Sequence, residues 1–238
     1  MKPADQNSDY QGDLIGKFIW QHHFRQVPVE MELFIDGIAQ PRMSTEYFFR
    51  DLHQMNALEV EALHQCSGRV LDVGAGAGCH SLVLQNRGIE VVALERSSGA
   101  CQVMRDRGVI SLIQSDVLDC NEPLFDTILL LMNGFGIGGD EEGVVRLLTH
   151  LKTLLAPGGR ILGDSTDIRY FKNPNNDEME YKQFSEVEFE VRAQGASEFF
   201  AWIYPDELLL EVLAEEAGLR YRTVLRDDDF HFLSELYV

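Results

Sequence analysis

Residues 69–80 read Arg-Val-Leu-Asp-Val-Gly-Ala-Gly-Ala-Gly-Cys-His. A short apolar run that closes on Asp72 and then breaks into alternating glycines predicts a buried strand that turns sharply into a helix. Glycine suits such a turn because the backbone takes a positive φ and because a Cβ would stand where a ligand approaches the chain. The stretch therefore predicts a ligand-binding turn in an α/β fold. An ordinary strand-to-helix turn without a ligand is the alternative.

The spacing of the glycines separates two classes of ligand. The dinucleotide-binding pattern G-x-G-x-x-G/A, counted from Gly74, places its last small residue at Cys79. The glycines present are Gly74, Gly76 and Gly78, with Asp72 two residues ahead of them. This G-x-G-x-G arrangement resembles motif I of the class I S-adenosylmethionine-dependent methyltransferases. An NAD-dependent oxidoreductase is the less favoured alternative.

Acidic residues follow the next two predicted strands. Residues 89–94 form an apolar run that ends on Glu95, at the distance from the glycine loop where a carboxylate holds a ribose diol. Residues 109–114 predict a third strand, and Asp116 follows it. The resemblance implies that Asp116 accepts the adenine amino hydrogen. Together with Asp72, these carboxylates suit a ligand that carries a sulfonium and an ammonium group.

Three later stretches support the same family. Residues 125–132 form a long apolar run, typical of a parallel strand buried on both faces, which opens into Asn133. The resemblance implies that the transferred methyl group and its acceptor meet there. Residues 157–159 form the Pro-Gly-Gly turn that precedes the next strand in this family, and residues 219–238 predict a closing hairpin.

The resemblance implies an α/β fold built on a seven-stranded doubly wound sheet, mostly parallel with an antiparallel last strand. It covers residues 66–238, with an N-terminal helical cap at residues 1–65 and a small β insertion at about residues 166–202. The implied cofactor is S-adenosyl-L-methionine. The implied cofactor-binding residues are Asp72, Gly74, Ala75, Gly76, Gly78, His80, Glu95, Arg96, Asp116, Val117, Met132, Asn133 and Arg50.

The cap and the insertion have weaker patterns. Residues 15–20 and 27–35 predict short helices, and a further helix begins at Ser44. Arg50, in that helix, is a hypothetical partner for the methionine carboxylate. Residues 187–192 alternate strictly and predict a strand with one solvent-facing side. The aromatic residues beside it either wall a flat or cationic substrate or pack the insertion; they are Phe199, Phe200, Trp202 and Tyr204.

Composition limits the function classes. A chain of 238 residues with 45% hydrophobic residues is sized for one domain. The net charge of −19 repels phosphate backbones, which argues against nucleic acid as a partner. No apolar run reaches membrane-spanning length, and the first residues contain no signal-like apolar segment. Four scattered cysteines predict reduced thiols and no metal site. We therefore expect a cytoplasmic protein with a small-molecule substrate.

The implied chemistry is attack on the sulfonium methyl group. Such a reaction gains most from positioning and from the exclusion of water, so the sequence assigns no catalytic residue. Should a base be required, the candidates are His80, Asp164 and Tyr204. A non-catalytic domain that binds S-adenosylmethionine is the remaining alternative, because binding and catalysis share these motifs.

Overall fold

The computed structural model describes residues 12–168 and 185–238. Within these residues the helices are Leu14–Arg25 (α1), Ala57–Gln65 (α2), Cys79–Asn86 (α3), Ser98–Arg107 (α4), Glu141–Leu154 (α5) and Glu207–Glu216 (α6). The strands are Glu30–Ile35 (β1), Ile38–Ser44 (β2), Arg69–Val73 (β3), Glu90–Glu95 (β4), Leu112–Gln114 (β5), Phe125–Leu130 (β6), Leu155–Thr166 (β7), Glu186–Ala193 (β8), Ala196–Ile203 (β9), Arg220–Arg226 (β10) and His231–Tyr237 (β11). Short 3-10 helices lie at Thr45–Phe49, Leu52–Gln54, Val117–Asp119 and Gly134–Gly138.

The main sheet has seven strands in the order β10-β11-β7-β6-β3-β4-β5. Strands β3 to β7 run parallel, and β11 is inserted antiparallel between β7 and β10. The predicted sheet is therefore confirmed. The strand order reverses at β3, which pairs with β4 on one side and with β6 on the other. Ligands of such sheets bind outside the carboxyl ends of the strands at this point.

Helices bury both faces of the main sheet. Helix α5 repeats leucine at helical spacing, and Leu147, Leu148 and Leu151 pack with α6 against one face. On the other face, Leu58 of α2 and Leu84 of α3 are almost fully buried. Each such leucine contributes about 1.5–3 kcal/mol relative to an exposed side chain. No helix in the described ranges is both long enough and apolar enough to cross a membrane.

A second sheet, which we call the roof sheet, has the antiparallel order β2-β1-β8-β9. It joins the N-terminal segment to the insertion through the pairing of β1 with β8. Its hairpins turn at Asp36-Gly37 and Gln194-Gly195, where both residues have positive φ. The short helix predicted over residues 27–35 is therefore wrong, since β1 occupies most of that range. The predicted strand at residues 187–192 is confirmed as β8.

The rest of the N-terminal segment is only partly the helical cap that the sequence predicts. Residues 15–20 do lie in a helix, α1. The helix predicted from Ser44 is instead broken into two 3-10 turns and α2. The breaks occur because Asp51 and Asn56 each accept backbone N–H groups as new N-caps.

Candidate active site

The glycine loop lies between β3 and α3. Gly74, Gly76 and Gly78 have φ of 70°, 56° and 80°, values that side-chain-bearing residues rarely adopt. Gly74 and Gly76 line a cavity at the sheet's edge. A Cβ at Gly78 would instead lie 3.0 Å from atoms of Met104 and Val109. The first two glycines therefore leave room for a ligand, and the third lets α3 pack against its neighbours.

The cavity consists of two adjoining chambers at the carboxyl ends of the strands. The first chamber has a volume of about 300 Å³ and is lined by Asp116 and Val117 beyond β5. The second has a volume of about 250 Å³ and is lined by the glycine loop, Asp72, His80 and Met132. The chambers share one set of wall residues: Val73, Gly74, Glu95, Arg96, Ile137, Phe200 and Trp202.

Glu95 ties the glycine loop to the end of β4. Its Oε2 accepts the Gly76 N–H at 2.9 Å, and its Oε1 accepts the Ser97 N–H at 2.8 Å. Burial raises the pKa of Glu95, and these two hydrogen bonds act in the opposite direction. The carboxylate thus fixes the backbone that faces both chambers.

The other two predicted carboxylates lie one at each end of the cavity. In the second chamber, Asp72 is buried and accepts the Ser81 hydroxyl at 2.6 Å. Burial raises the pKa of Asp72, and the nearby His80 charge lowers it. In the first chamber, Asp116 caps the following 3-10 turn by accepting the Leu118 N–H at 3.0 Å. The structure thus places Asp116 in the first chamber, Asp72 in the second and Glu95 in the wall that the two chambers share.

Arg50 belongs to a buried ion network behind the second chamber. Its two terminal nitrogens donate to Glu59 at 2.7 and 2.6 Å, and its guanidinium lies 3.6 Å from the centre of the Tyr47 ring. His80 Nε2 also lies 2.8 Å from Glu59. The guanidinium is thus bound to a protein carboxylate, and this geometry does not support Arg50 as a partner for a ligand carboxylate. Glu59 is not among the site residues predicted from the sequence, although the Asn56-x-x-Glu59 pattern of a capping box marks it as a buried helix-start residue.

The charges of this network are strongly coupled. Burial acts to raise the pKa of Glu59, but hydrogen bonds from His80 and Arg50 lower it to about 2. Burial lowers the pKa of His80, whereas its interactions with Cys79, Glu59 and Asp72 raise it well above the usual range. The raised pKa favours the imidazolium form of His80, which the Glu59 carboxylate stabilises. A cationic imidazolium cannot accept a proton, so this geometry disfavours His80 as a base.

A strained turn follows β6. Met132 and Asn133 have φ of 61° and 59°, a left-handed conformation that costs side-chain-bearing residues roughly 1–3 kcal/mol each. The Asn133 N–H donates to Asp164 Oδ2 at 3.2 Å, and the Thr166 hydroxyl donates to Asn133 Oδ1 at 2.8 Å. Met132 and Gly134 line the second chamber, while Asn133 lies between them. Two residues of β7 thus hold the turn in place.

The roof sheet covers one side of the cavity. Phe200 and Trp202 of β9 line both chambers, and Glu198 lines the second. Glu198 Oε2 accepts the Leu14 N–H of α1 at 2.5 Å. Unlike Phe200 and Trp202, Phe199 lines neither chamber, and 55% of it is exposed. These contacts place α1 and β9 over the same opening.

Tyr204 lines neither chamber. It packs with Ile35, Ile168 and Val187 in a separate cluster at the end of the roof sheet. Burial raises the pKa of its hydroxyl above the usual range. An apolar surrounding of this kind favours a packing role for Tyr204. The sequence alone does not show that Trp202 lines the cavity and Tyr204 does not, because both lie in one aromatic run.

The cavity fits S-adenosylmethionine, since its walls combine glycine backbone, apolar side chains and several carboxylates. Residues 70–159 match the family model of a methyltransferase domain. A SAM-dependent methyltransferase from Bacteroides fragilis, solved in complex with S-adenosyl-L-homocysteine, is 33% identical over 95% of both chains, with a TM-score of 0.87. This chain belongs to the S-adenosylmethionine-dependent methyltransferases, and S-adenosylmethionine is its cofactor. The family and cofactor predictions are thus confirmed.

Two curated relatives match over shorter ranges. The cypemycin N-terminal methyltransferase from Streptomyces sp is 28% identical over 112 residues, which are 45% of this chain and 46% of the relative. The ubiquinone biosynthesis O-methyltransferase from Alkalilimnicola ehrlichii is 30% identical over 95 residues, which are 34% of this chain and 38% of the relative. The chain thus matches less than half the length of either protein.

Proposed function

We propose that the protein transfers a methyl group from S-adenosylmethionine to a small-molecule acceptor. The roof sheet is the observation that supports this proposal. Its residues Phe200 and Trp202 lie over the carboxyl ends of the strands, where methyltransferases of this family bind the cofactor. Such a cover favours a small acceptor over a folded macromolecule, which needs a wider opening at that place. The net charge of −19 further disfavours nucleic acid.

In this proposal the three strand-end carboxylates recognise the cofactor. Glu95 accepts hydrogen bonds from the ribose hydroxyls, in addition to holding the glycine loop. Asp116 accepts the adenine amino hydrogen beside Val117. Asp72 and the second chamber's backbone receive the charged methionine end. The supporting geometry is the pair of chambers with a common wall, one lined by Asp116 and the other by Asp72.

Bound S-adenosylmethionine supplies a methyl carbon that an acceptor lone pair attacks, while the carbon–sulfur bond breaks and its electron pair stays on sulfur. The residues of this chain orient the two reactants and exclude water. The Met132-Asn133 turn fixes one wall of the second chamber, and Trp202 closes the opposite side. Holding two reactants in line accounts for a large part of the rate in such reactions.

The proposal is tested by following the label from methyl-labelled S-adenosylmethionine in a cell extract separated into small molecules, protein and nucleic acid. We expect protein-dependent label in the small-molecule fraction. Label confined to protein or nucleic acid would overturn the proposal. No transfer despite binding of S-adenosyl-L-homocysteine would favour the non-catalytic binding domain. Glu95→Ala, which removes a proposed cofactor contact, is the matched control and should reduce the label when S-adenosylmethionine is below the concentration that saturates the variant.

A further inference from the structure

The methionine end of the cofactor carries a carboxylate that needs a partner in the cavity. The structure binds Arg50, the residue that the sequence suggests for this role, to Glu59 instead. A carboxylate forms its strongest hydrogen bonds with a cationic donor. Within residues 12–168 and 185–238, two basic side chains line the second chamber, Arg96 and His80.

These two basic residues differ in position. Arg96 is exposed and lies in the wall that both chambers share. His80 lines the second chamber alone and is 4% exposed. It is the second residue of α3, directly after the glycine loop, where the helix dipole also favours an anion. His80 is therefore the basic group of the chamber that the first chamber, with Asp116, does not share.

One ring nitrogen of His80 is held from behind the chamber. Nε2 lies 2.8 Å from Glu59 Oε1, and Glu59 also accepts both terminal nitrogens of Arg50. Both nitrogens of an imidazolium are donors, so Nδ1 keeps an N–H that Glu59 does not take. The ring also interacts with the Cys79 thiol, but sulfur is a weak acceptor. The ring thus has a donor to offer a ligand of the chamber.

An opposite charge lies close to His80 in the same chamber. Asp72, in β3, interacts electrostatically with His80, and both side chains line the chamber. The amino-acid end of the cofactor is a zwitterion, with its ammonium and its carboxylate on one carbon. Asp72 and His80 together match these two charges, and complementary charges of this kind fix the orientation of a ligand.

We propose that His80 binds the methionine carboxylate of S-adenosylmethionine through Nδ1–H, and that Arg50 acts behind it, through Glu59, as a positioning residue. The inference rests on the proposed placement of the methionine end in the second chamber. The buried network then serves cofactor recognition as well as the fold, because Arg50 fixes the carboxylate that orients the His80 ring.

The test compares two ligands that differ only in the carboxylate. Decarboxylated S-adenosylhomocysteine keeps the adenosine, the sulfur and the amine of S-adenosyl-L-homocysteine. His80→Gln keeps an amide N–H for Glu59 but removes the charge. We expect calorimetric titration to show roughly tenfold to hundredfold weaker binding of S-adenosyl-L-homocysteine, the range of a charge-assisted hydrogen bond, with little change for the decarboxylated ligand. Equal losses for both ligands, or no loss, would overturn the inference.

The role of Arg50 is tested with the same two ligands. Arg50→Lys keeps the charge but gives up the two-pronged contact with Glu59. We expect it to weaken the binding of S-adenosyl-L-homocysteine more than that of the decarboxylated ligand. An equal change for both would limit Arg50 to a structural role and contradict its part in the inference.

Two further variants serve as controls. His64→Gln, at an exposed position in the last turn of α2, should bind both ligands normally. Should His80→Gln not fold, Arg96→Gln decides between the two basic residues, and any loss in it should be equal for both ligands. A loss confined to S-adenosyl-L-homocysteine would assign the carboxylate to Arg96 and refute the inference. Neither ligand has a methyl group to transfer, so failure of the wild-type protein to methylate any acceptor would count against the proposed function alone.

Discussion

The Trp202 ring packs directly against the backbone of Gly136. A Cβ at position 136 would lie 2.0 Å from Cε2 of Trp202, a distance that no side chain can occupy. This contact joins the roof sheet to the 3-10 helix that follows β6. The absence of a side chain at Gly136 therefore sets how closely the roof approaches the cavity.

Gly136→Ala should push Trp202 away and open both chambers. We expect the affinity for S-adenosyl-L-homocysteine to fall by about tenfold and the free energy of unfolding by about 1–3 kcal/mol, as for overpacked cores. Calorimetric titration and urea denaturation measure the two effects. Gly158→Ala is the control: its turn is open and its φ is positive, so it should cost stability without changing ligand affinity. Unchanged affinity in Gly136→Ala would contradict the closed position of the roof.

The Arg50–Glu59–His80 network should make a large contribution to the free energy of unfolding. Glu59→Gln leaves two buried cations without their carboxylate, and breaking a buried ion pair in this way costs about 3–5 kcal/mol. Urea denaturation at neutral pH measures the loss. Glu61→Gln, on the same helix, is the control. A loss no larger than that of the control would show that the network contributes little.

The same network predicts a dependence on pH. The pKa of Glu59 is about 2 in the folded protein, below its ordinary value of 4.5. A lowered carboxyl pKa adds stability above pH 4.5, and this stability is lost as the pH falls from 4.5 towards 2. The difference in unfolding free energy between wild type and Glu59→Gln should therefore shrink below pH 4.5. A difference that stays constant down to pH 3, well inside this range, would argue against the lowered pKa.

The main sheet could be predicted because its signals are local. The Asp72 to Gly78 stretch and the Pro157-Gly158-Gly159 turn each identify their own element. The roof sheet could not be predicted in the same way. Its central pairing brings Glu32 opposite Arg192, and nothing near either residue specifies the partner strand. The Asp36-Gly37 dipeptide is a local hairpin signal, but it does not specify which strand pairs with β1 on its other side.

The residues of the candidate site also differ in whether local sequence signals could predict their positions. Glu95 and Asp116 follow predicted strands, so their meeting at one edge of the sheet could be inferred from the strand order. The partners of Arg50 and Asp164 depend on side-chain directions that only the packed structure defines. The sequence therefore allows the hypothesis that Arg50 contacts a ligand carboxylate, whereas the structure pairs it with Glu59.

Glu95→Ala should weaken the binding of S-adenosyl-L-homocysteine by roughly ten to a hundredfold, equivalent to about 1.5–3 kcal/mol. The loss has two sources, because the side chain holds the Gly76 N–H as well as the proposed ribose contact. Calorimetric titration measures it. Glu90→Ala, an exposed carboxylate on the same strand that contacts Arg69, should bind normally. Equal affinity in both variants would show that Glu95 does not contribute to cofactor binding.

Glu198 should control how quickly ligands leave. Its carboxylate accepts the Leu14 N–H at the N-terminus of α1, where a negative charge is favoured by the helix dipole. Because Glu198 and the α1 residues Ile15 and Ile19 line the second chamber, Glu198→Ala should speed the dissociation of S-adenosyl-L-homocysteine by about tenfold, while the melting temperature changes little. Stopped-flow displacement measures the rate. Glu188→Ala, an exposed carboxylate on β8 of the same sheet, is the matched control. Identical dissociation rates in the two variants would show that α1 and β9 do not open together when the ligand leaves.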